Sequence, residues 1–271
     1  MIITHNINRI KVTNKLLKNE KRSSKSMERI SSGLKINSAS DDAAGSSISV
    51  KFKAQIRGLS RAQMNVQDGI QLSTQMSSSL DLISDNSLIR LRELSVKGAN
   101  DTSGVDDKKA MQNEIDQILK DIDSIANGTE FNGKKLLAPP LDPINIQAGA
   151  NGGDIFKIEL FDVRVSSLGL DGINVSTIGG SVQALDKIDT AINKIADYVG
   201  KTGSNEEGLH YFSGKLAEYE QELTSSNSRI EDTDLAKESL DLAQRNILTQ
   251  ATQAILLQSN QSTESVRQLL Q

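Results

Sequence analysis

The segment GTEFNGKK at 128–135 has the glycine and lysine spacing of a phosphate-binding loop. In such a loop the residue after the lysine is Ser or Thr, because its hydroxyl binds Mg²⁺, and an apolar β-strand precedes the glycines. Here that residue is Lys135, and no apolar strand precedes Gly128. We therefore predict a turn that ends a helix rather than a nucleotide site.

Paired carboxylates at 41–42, 106–107 and 206–207 could act as acid/base dyads. Each pair is predicted just inside a helix start, where negative charge stabilises the exposed amide dipoles, and this explains it without chemistry. The two histidines, His5 and His210, lack the spacing of metal ligands, and the absence of Cys excludes thiolates and disulfides. The sequence therefore predicts no enzyme activity, no cofactor and no metal site.

The composition favours an elongated helical protein over a globular enzyme. Of 271 residues, 37% are hydrophobic and 3% aromatic, with no Trp, so we do not expect a large compact core. The net charge of -4 argues against a nucleic-acid surface, and the basic run 15–22 is interpreted as a solvated helix face. No apolar run approaches a membrane span, and the N-terminus lacks the apolar core of a cleaved secretory signal.

Both ends of the chain carry apolar side chains at helical spacing. The N-terminal stripe consists of Ile3, Ile7, Ile10 and Leu17, and the C-terminal stripe of Leu240, Ala243, Ile247, Ala254 and Leu257. A second C-terminal row, Leu235, Leu242 and Leu256, lies beside the latter. One partner helix cannot cover so much apolar surface, and burying each Ile or Leu is worth about 1.5 to 3 kcal/mol. We therefore predict that the two stripes pack between copies of the chain.

Long helices are predicted between these ends. Residues 1–36 form an amphipathic helix, a break follows near 37–41, and Ser38 or Ser40 is expected to cap the next helix. From 42 to about 100 the apolar residues recur at multiples of seven, with Ser73 and Ser87 at two intervening positions, which indicates one helix of roughly 90 Å. A third helix carries apolar residues from 111 to 125 and ends at the Asn-Gly pair 127–128.

The region 138–180 differs in character and is predicted to hold a small β-hairpin. Its alternating segments, 144–147 and 156–165, flank a glycine-rich turn. Helical spacing returns at 185–199, a Gly/Ser loop is predicted at 200–204, and a further helix over 209–230 runs back along the long one. The predicted fold is mainly α, a long antiparallel helical hairpin or bundle with coiled-coil terminal helices and a small β-hairpin region.

Several long segments resemble bacterial flagellin, in the order that this family has them. They are SSGLKINSASDDAAG (31–45), AQIRGLSRAQMNVQDGI (54–70), RLRELSVKGANDT (90–102), SRIEDTDLAKE (228–238) and ILTQATQAILLQSNQ (247–261). The resemblance covers about 1–137 and 228–271 closely. The segment 200–227 departs from it, because the family's usual Leu-Gly-Ala and Gln-Asn-Arg pattern is missing while the heptad spacing remains.

The resemblance implies an inner core built from 1–40 and 231–271, and an outer core at 41–230 with the hairpin region at 138–180. There is no room for the variable outer domains of many flagellins, so a short, core-only form is expected. Copies would polymerise into the flagellar filament for motility, outside the cell, after export by the flagellar type III apparatus without a cleaved signal peptide. Expected partners are other subunits, an export chaperone and the filament cap and junction proteins, but neither nucleic acid nor membrane.

The resemblance also implies contact with the Toll-like receptor that recognises flagellin in animal hosts. Arg90, Leu94 and Glu114 match the family's receptor-binding pattern; the first two are four apart on one helix face, and the third comes from the antiparallel neighbour. Ile89 and Lys97 stand where receptor-active relatives often carry Gln, so weakened binding is expected. The alternative is that Leu94 belongs to the helix core and Arg90 is simply solvated.

Three other functions are alternatives to a filament subunit. A hook-filament junction protein shares similar terminal helices, but the intact SRIEDTDLAKE segment favours flagellin. A secreted enzyme on a flagellin scaffold would need an inserted catalytic domain, for which 138–180 is too short. A secreted flagellin-like adhesin or immune ligand that never polymerises stays open.

Overall fold

The computed structural model describes the backbone of residues 7–269 and the side chains of residues 7–261. Ile3 and His5 lie outside the described residues. The fold is mainly α, as predicted. The helices are α1 (Ile7–Ser32), α2 (Ala43–Asp81), α3 (Ile89–Gly98), α4 (Val105–Gly128), α5 (Val165–Leu168), α6 (Ile178–Glu231) and α7 (Leu235–Leu269), and the strands are β1 (Glu130–Phe131), β2 (Lys134–Lys135), β3 (Ile144–Gln147) and β4 (Ile155–Ile158).

Contacts divide the chain into two compact units. The first holds the residues up to 55 and those from 221 onward, so that α1 and α7 belong to the same unit. The second holds 56–220, including α3, α4 and the short strands. The helices α2 and α6 run through both units.

A turn joins α1 to α2, where the sequence predicts a break, but its cap is not the predicted serine. The Asp42 carboxylate accepts a hydrogen bond from the Gly45 amide at 3.0 Å, which places Asp42 at the N-cap of α2. Ser38 and Ser40 instead share a hydrogen bond of 2.7 Å between their hydroxyls. The prediction was wrong because a carboxylate directly before the first helical residue reaches the free amides better than a serine two residues further away.

The long predicted helix from 42 to 100 exists with one irregularity. Residues Leu82–Leu88 form a π-helical segment between α2 and α3, without a turn or loop. Its buried side chains are Ile83, Ser87 and Leu88, so a step of five, from Ile83 to Leu88, stands where an α-helix would keep steps of three and four. A π-helix has more residues per turn than an α-helix, and it keeps all three side chains in the core.

The glycine-lysine segment forms a tight hairpin, not a phosphate loop. The helix α4 ends at Gly128, and β1 pairs with β2 through a turn at Asn132 and Gly133. Both turn residues have positive φ, 49° and 78°, which Asn and Gly tolerate best. The predicted helix-ending turn is thereby confirmed.

The β-hairpin of the region 138–180 pairs Ile144 with Ile158 and Gln147 with Ile155. The predicted second strand reached 165, but β4 ends at Ile158. Residues 159–163 form no strand, and the Val163 amide donates to the Leu137 carbonyl at 3.1 Å.

The helix α6 is continuous over 54 residues, so the predicted loop at 200–204 is wrong. Thr202 is buried, and its hydroxyl donates to the Tyr198 carbonyl at 2.8 Å, one helical turn earlier. Packing at Thr202 and at Leu209 outweighs the low helix propensity of the neighbouring glycines. The pair Glu206–Glu207 therefore lies inside a helix and not at its start.

Candidate functional site

The helices α1 and α7 pair antiparallel in the first unit. Ser23 donates to the Asn246 side chain at 3.0 Å, and Arg29 lies 3.7 Å from Glu238. The face of α1 that is sheltered carries Val12, Leu16, Ser26 and Ile30, of which Ser26 is fully buried. Each terminal helix thus covers one side of the other and leaves its opposite side open.

The predicted stripes lie on those open sides. In the N-terminal stripe, the exposed fractions of Ile7, Ile10 and Leu17 are 55%, 54% and 58%. In the C-terminal stripe, Leu240, Ile247 and Leu257 are 73%, 66% and 63% exposed, and Ala243 and Ala254 are exposed as well. Large aliphatic side chains at helical spacing therefore remain in solvent after the two helices have paired.

The second predicted row divides between the two sides of α7. Leu242 and Leu256 are half-buried, whereas Leu235 is 51% exposed. Leu248 and Ile255, which the sequence analysis did not single out, are 45% and 53% exposed and stand one residue after Ile247 and Ala254. The open side of α7 is therefore wider than the C-terminal stripe alone.

A buried carboxylate joins α2 to the end of α6 in the first unit. Glu231 is only 7% exposed and accepts hydrogen bonds from Ser49 at 2.8 Å, from Asn227 at 3.1 Å and from Lys53. These four residues are called the Glu231 cluster below. Burial alone raises the pKa of Glu231, but the three hydrogen bonds outweigh it and leave the pKa below its ordinary value.

The connection between the helices is also fixed by backbone bonds. The Lys35 amide donates to the Glu231 carbonyl at 2.6 Å, and the Thr233 amide donates to the Gly33 carbonyl at 2.9 Å. Beside them Asp41 binds Lys25 and accepts from the Asn37 amide at 3.2 Å, which lowers the pKa of Asp41, the hydrogen bond from Lys25 being the largest cause. The start of α7 is therefore tied to the end of α1.

We expect Glu231→Gln to lower the monomer's free energy of unfolding at about pH 7 by roughly 1 to 2 kcal/mol, because a charge-assisted bond is lost and Lys53 is partly screened by solvent. Since the folded pKa of Glu231 lies below the ordinary 4.5, its contribution is present above that value and disappears as the pH falls through the folded pKa. The wild-type and variant unfolding curves should therefore converge once the pH lies below the folded pKa of Glu231. Chemical unfolding at several pH values measures this.

The control for this variant is Glu222→Gln, which removes an exposed carboxylate from the same helix and should leave the curves unchanged. If the free energies of unfolding of wild type and Glu231→Gln differ by the same amount at all pH values, the charge of Glu231 does not have the role proposed here.

The predicted receptor residues lie on α3 and α4 of the second unit. The Arg90 Nε lies 2.7 Å from a Glu114 carboxylate oxygen, and the Arg90 Nη1 lies 2.9 Å from Glu93. Both carboxylates raise the pKa of Arg90, with Glu114 the larger cause. Leu94 is only 4% exposed, so most of its side chain lies in the core.

A shallow cleft of about 390 Å³ opens beside this ion pair. Its wall includes Arg90, Glu93, Lys97, Asp107 and Glu114, and its floor is apolar at Leu94 and Met111. The structure therefore brings Arg90 and Glu114 together.

Within residues 7–261 no group of three or more His, Asp or Glu side chains is arranged to hold a metal ion. Among the helices that the structure describes, none has an apolar stretch of the length that a membrane crossing needs.

The N-terminal and C-terminal parts of the chain each match the model of a known protein family. Residues 3–139 match the model of the bacterial flagellin N-terminal helical region, and residues 185–270 match that of the C-terminal helical region. A flagellin of Halalkalibacterium halodurans is 37% identical over 272 residues, an alignment that covers all of both chains.

Two solved structures show a similar fold. The crystal structure of Bacillus cereus flagellin is 31% identical, covers 56% of this chain and 88% of its own, and has a TM-score of 0.51. A putative flagellar hook-associated protein from Vibrio parahaemolyticus has a TM-score of 0.59 and covers 71% of this chain and all of its own, but at 16% identity it shows the fold alone.

The paired terminal helices, the family matches and the full-length relative define a helical structural protein, the building unit of a flagellar filament. The chain belongs to the bacterial flagellin family.

Proposed function

We propose that this chain polymerises into the extracellular flagellar filament through the N-terminal and C-terminal stripes. The observation that carries this assignment is that six large aliphatic side chains of the two stripes remain more than half exposed although α1 and α7 are already paired. They are Ile7, Ile10, Leu17, Leu240, Ile247 and Leu257. A second copy of the chain that presents the same kind of surface would remove them from water.

Burial is the proposed driving force. Covering the exposed half of one Ile or Leu contributes roughly 1 kcal/mol, so six of them per subunit contribute several kcal/mol before the loss of freedom on association is counted. The association also stabilises the terminal helices themselves, because anything that binds only the folded form shifts the folding equilibrium towards it. Assembly and the stability of α1 and α7 are thereby coupled.

The test is seeded polymerisation of the purified full-length chain. Short filament fragments are added to monomer, and the product is followed by sedimentation and negative-stain microscopy. We expect long filaments above a critical concentration. Monomer that stays soluble with intact seeds would overturn the proposal and would favour the non-polymerising adhesin or immune ligand.

The exposed C-terminal stripe also bears on how the subunit reaches the filament. We propose export by the flagellar type III route without a cleaved signal peptide, and a chaperone that covers the C-terminal stripe before export, since an uncovered apolar stripe associates prematurely. Cap and junction proteins at the filament end would meet the same terminal helices. Slower hydrogen exchange of the α7 backbone amides in a complex with the chaperone than in the free monomer would support this route.

A second proposed activity is weak binding to the host Toll-like receptor through the cleft beside Arg90. The supporting observation is the ion pair of Arg90 with Glu114 and Glu93, which lies on the surface with about half of the Arg90 side chain in solvent. With most of Leu94 in the core, the polar groups offer the larger part of the accessible surface.

For this activity we expect Arg90→Ala to weaken receptor binding roughly tenfold, because charge-assisted bonds contribute about 1.5 to 3 kcal/mol at an interface. Arg92→Ala is the matched control: Arg92 is on the same helix and about equally exposed, but it pairs with Asp189 at 2.9 Å. Surface plasmon resonance with the receptor ectodomain compares the two. Equal affinities for Arg90→Ala and wild type would remove Arg90 from the contact.

A further inference from the structure

The helix α1 is far more basic than the rest of the chain. It carries eight of the 31 Lys and Arg residues but only two of the 35 Asp and Glu residues, Glu20 and Glu28. Eight basic and two acidic side chains give α1 a net charge of +6, whereas the whole chain has -4. Such a difference within one chain indicates an anionic partner for its basic part.

Five of these basic side chains form one face of α1. At about 100° per residue they fall within a sector of roughly 120° around the helix axis, and neither of the two glutamates lies in that sector. All five are exposed, and none is paired with an acidic side chain among the residues that the structure describes. They are called the basic face below and are Lys11, Lys15, Lys18, Lys21 and Arg22.

Neighbouring residues do not neutralise the basic face. Two further cations of α1 are already paired, Lys25 with Asp41, and Arg29 with Glu238 at 3.7 Å. Within residues 235–261 of α7 the other acidic residue is Asp241, which is itself paired with an arginine of the same helix. The positive charge of the basic face is therefore open to solvent.

The apolar N-terminal stripe borders the basic face. Around the helix axis, Ile10 and Leu17 lie just outside one edge of the sector, and Ile7 lies inside it. All three side chains are more than half exposed. The helix α1 therefore presents to solvent an amphipathic surface in which aliphatic tips lie beside long, flexible cations.

We infer that the free subunit binds the surface of an anionic phospholipid membrane through the basic face and the N-terminal stripe. The cations contact the lipid phosphates, and the tips of Ile10 and Leu17 enter the boundary between headgroups and acyl chains. A lipid surface supplies negative charge and an apolar layer directly below it, whereas a nucleic acid or an acidic polymer leaves the aliphatic tips in water. Mobile lipids can also face all five cations, which spread over about 16 Å along the helix axis.

Binding to a membrane surface differs from spanning a membrane. The sequence predicts no membrane partner because it has no apolar run of spanning length, and no helix that the structure describes has one. A helix that lies in the plane of the interface needs only an apolar edge and a cationic face. Since the N-terminal stripe also belongs to the proposed subunit contact, lipid binding concerns the subunit before it enters a filament, and it does not depend on polymerisation.

Vesicle flotation tests the inference with the full-length monomer, because bound protein rises with the lipid in a density gradient while any filament sinks. Vesicles of phosphatidylcholine alone are compared with vesicles in which about a third of the lipid is phosphatidylglycerol. We expect the partition coefficient to be at least roughly tenfold higher on the anionic vesicles. Most of this difference should disappear in 1 M salt, where the screening length is about 3 Å.

A triple variant identifies the face that binds. Lys11→Gln, Lys15→Gln and Lys18→Gln together should weaken binding to anionic vesicles roughly a hundredfold, because each cation at such a surface contributes about a factor of five. The matched control has the same net charge, because three exposed lysines of the second unit are changed to Gln instead, and it should bind nearly as well as the wild type. These lysines are Lys120, Lys134 and Lys157.

A second variant, Leu17→Gln, separates a lipid surface from other anionic partners. We expect it to bind anionic vesicles roughly fivefold more weakly than the wild type, because the side chain no longer enters the apolar layer. Its binding to soluble polyglutamate should be unchanged, since all charges are kept. The thermal unfolding of the monomer should change little, because Leu17 is 58% exposed.

The outcomes decide between a membrane and other partners. Equal partition of the wild type on neutral and anionic vesicles, or a triple variant that binds like its control, would overturn the inference. If the triple variant loses binding, Leu17→Gln keeps it, and polyglutamate displaces the wild type from the vesicles, the basic face serves an acidic polymer and not a membrane. These measurements use the monomer, so their failure leaves the proposed function intact, and a chain that does not polymerise leaves this inference intact.

Discussion

A chain without residues 235–271 should form no filaments, while its second unit remains folded. The deletion removes the C-terminal stripe and takes from α1 the helix that covers its sheltered side. It removes no residue of the unit formed by 56–220, whose core includes Ile115, Ile122 and Leu168. We expect less than about one hundredth of the wild-type polymer, because the loss of several buried aliphatic side chains per subunit corresponds to more than 3 kcal/mol.

Seeded sedimentation measures the polymer, and circular dichroism with thermal unfolding measures the remaining fold. Deletion of residues 1–36 is the companion experiment and should have the same effect, since it removes α1. If either shortened chain forms filaments on wild-type seeds, the terminal helices are not the assembly surfaces. Loss of cooperative unfolding would instead show that the second unit depends on the ends.

The helices could be predicted because their periodicity is local. In α4 the apolar residues at steps of three and four predicted the inward face, and Met111, Ile115 and Ile122 are buried as expected. The glycines at 200 and 203 misled the prediction for α6, because local composition contributes about 1 kcal/mol per glycine and says nothing about the packing of Thr202. Helix propensity depends on single residues, whereas the continuity of a long helix depends on the elements that pack against it.

The candidate site was predicted only in part, for a similar reason. Spacing showed that α7 has apolar residues on more than one side, but not which side faces α1. The pairing places Leu242 and Leu256 towards the inside and leaves the stripe with Ile247 in solvent. That choice depends on contacts such as the one between Ser23 and Asn246, which are 223 residues apart.

The Glu231 cluster was not predicted at all. Its partners Ser49 and Lys53 lie 182 and 178 residues before Glu231, and no spacing rule connects them. Arg90 and Glu114 are 24 residues apart on consecutive antiparallel helices, and their proximity could be predicted. Polar contacts between residues far apart in the sequence are therefore the part of the fold that spacing rules do not predict, and here they join α2 to α6.

The second large effect is expected from Ile247→Asp, a single change in the C-terminal stripe. Ile247 is 66% exposed in the monomer, so a carboxylate there stays hydrated and should change the monomer's unfolding temperature little. In the proposed filament the same position is buried in every subunit, where an unpaired carboxylate is penalised by several kcal/mol. About 3 kcal/mol corresponds to a rise of roughly a hundredfold in the critical concentration.

Two variants of the same helix make this result specific. Gln253→Asp adds the same charge at another exposed position of α7, about a third of a turn away from Ile247, and should change the critical concentration far less. Leu242→Asp places the charge on the half-buried side towards α1, so it should lower the unfolding temperature of the monomer, which Ile247→Asp should not. Polymer of wild-type amount from Ile247→Asp would mean that this side of α7 faces solvent in the filament, and the subunit contact would then have to be sought elsewhere on α7.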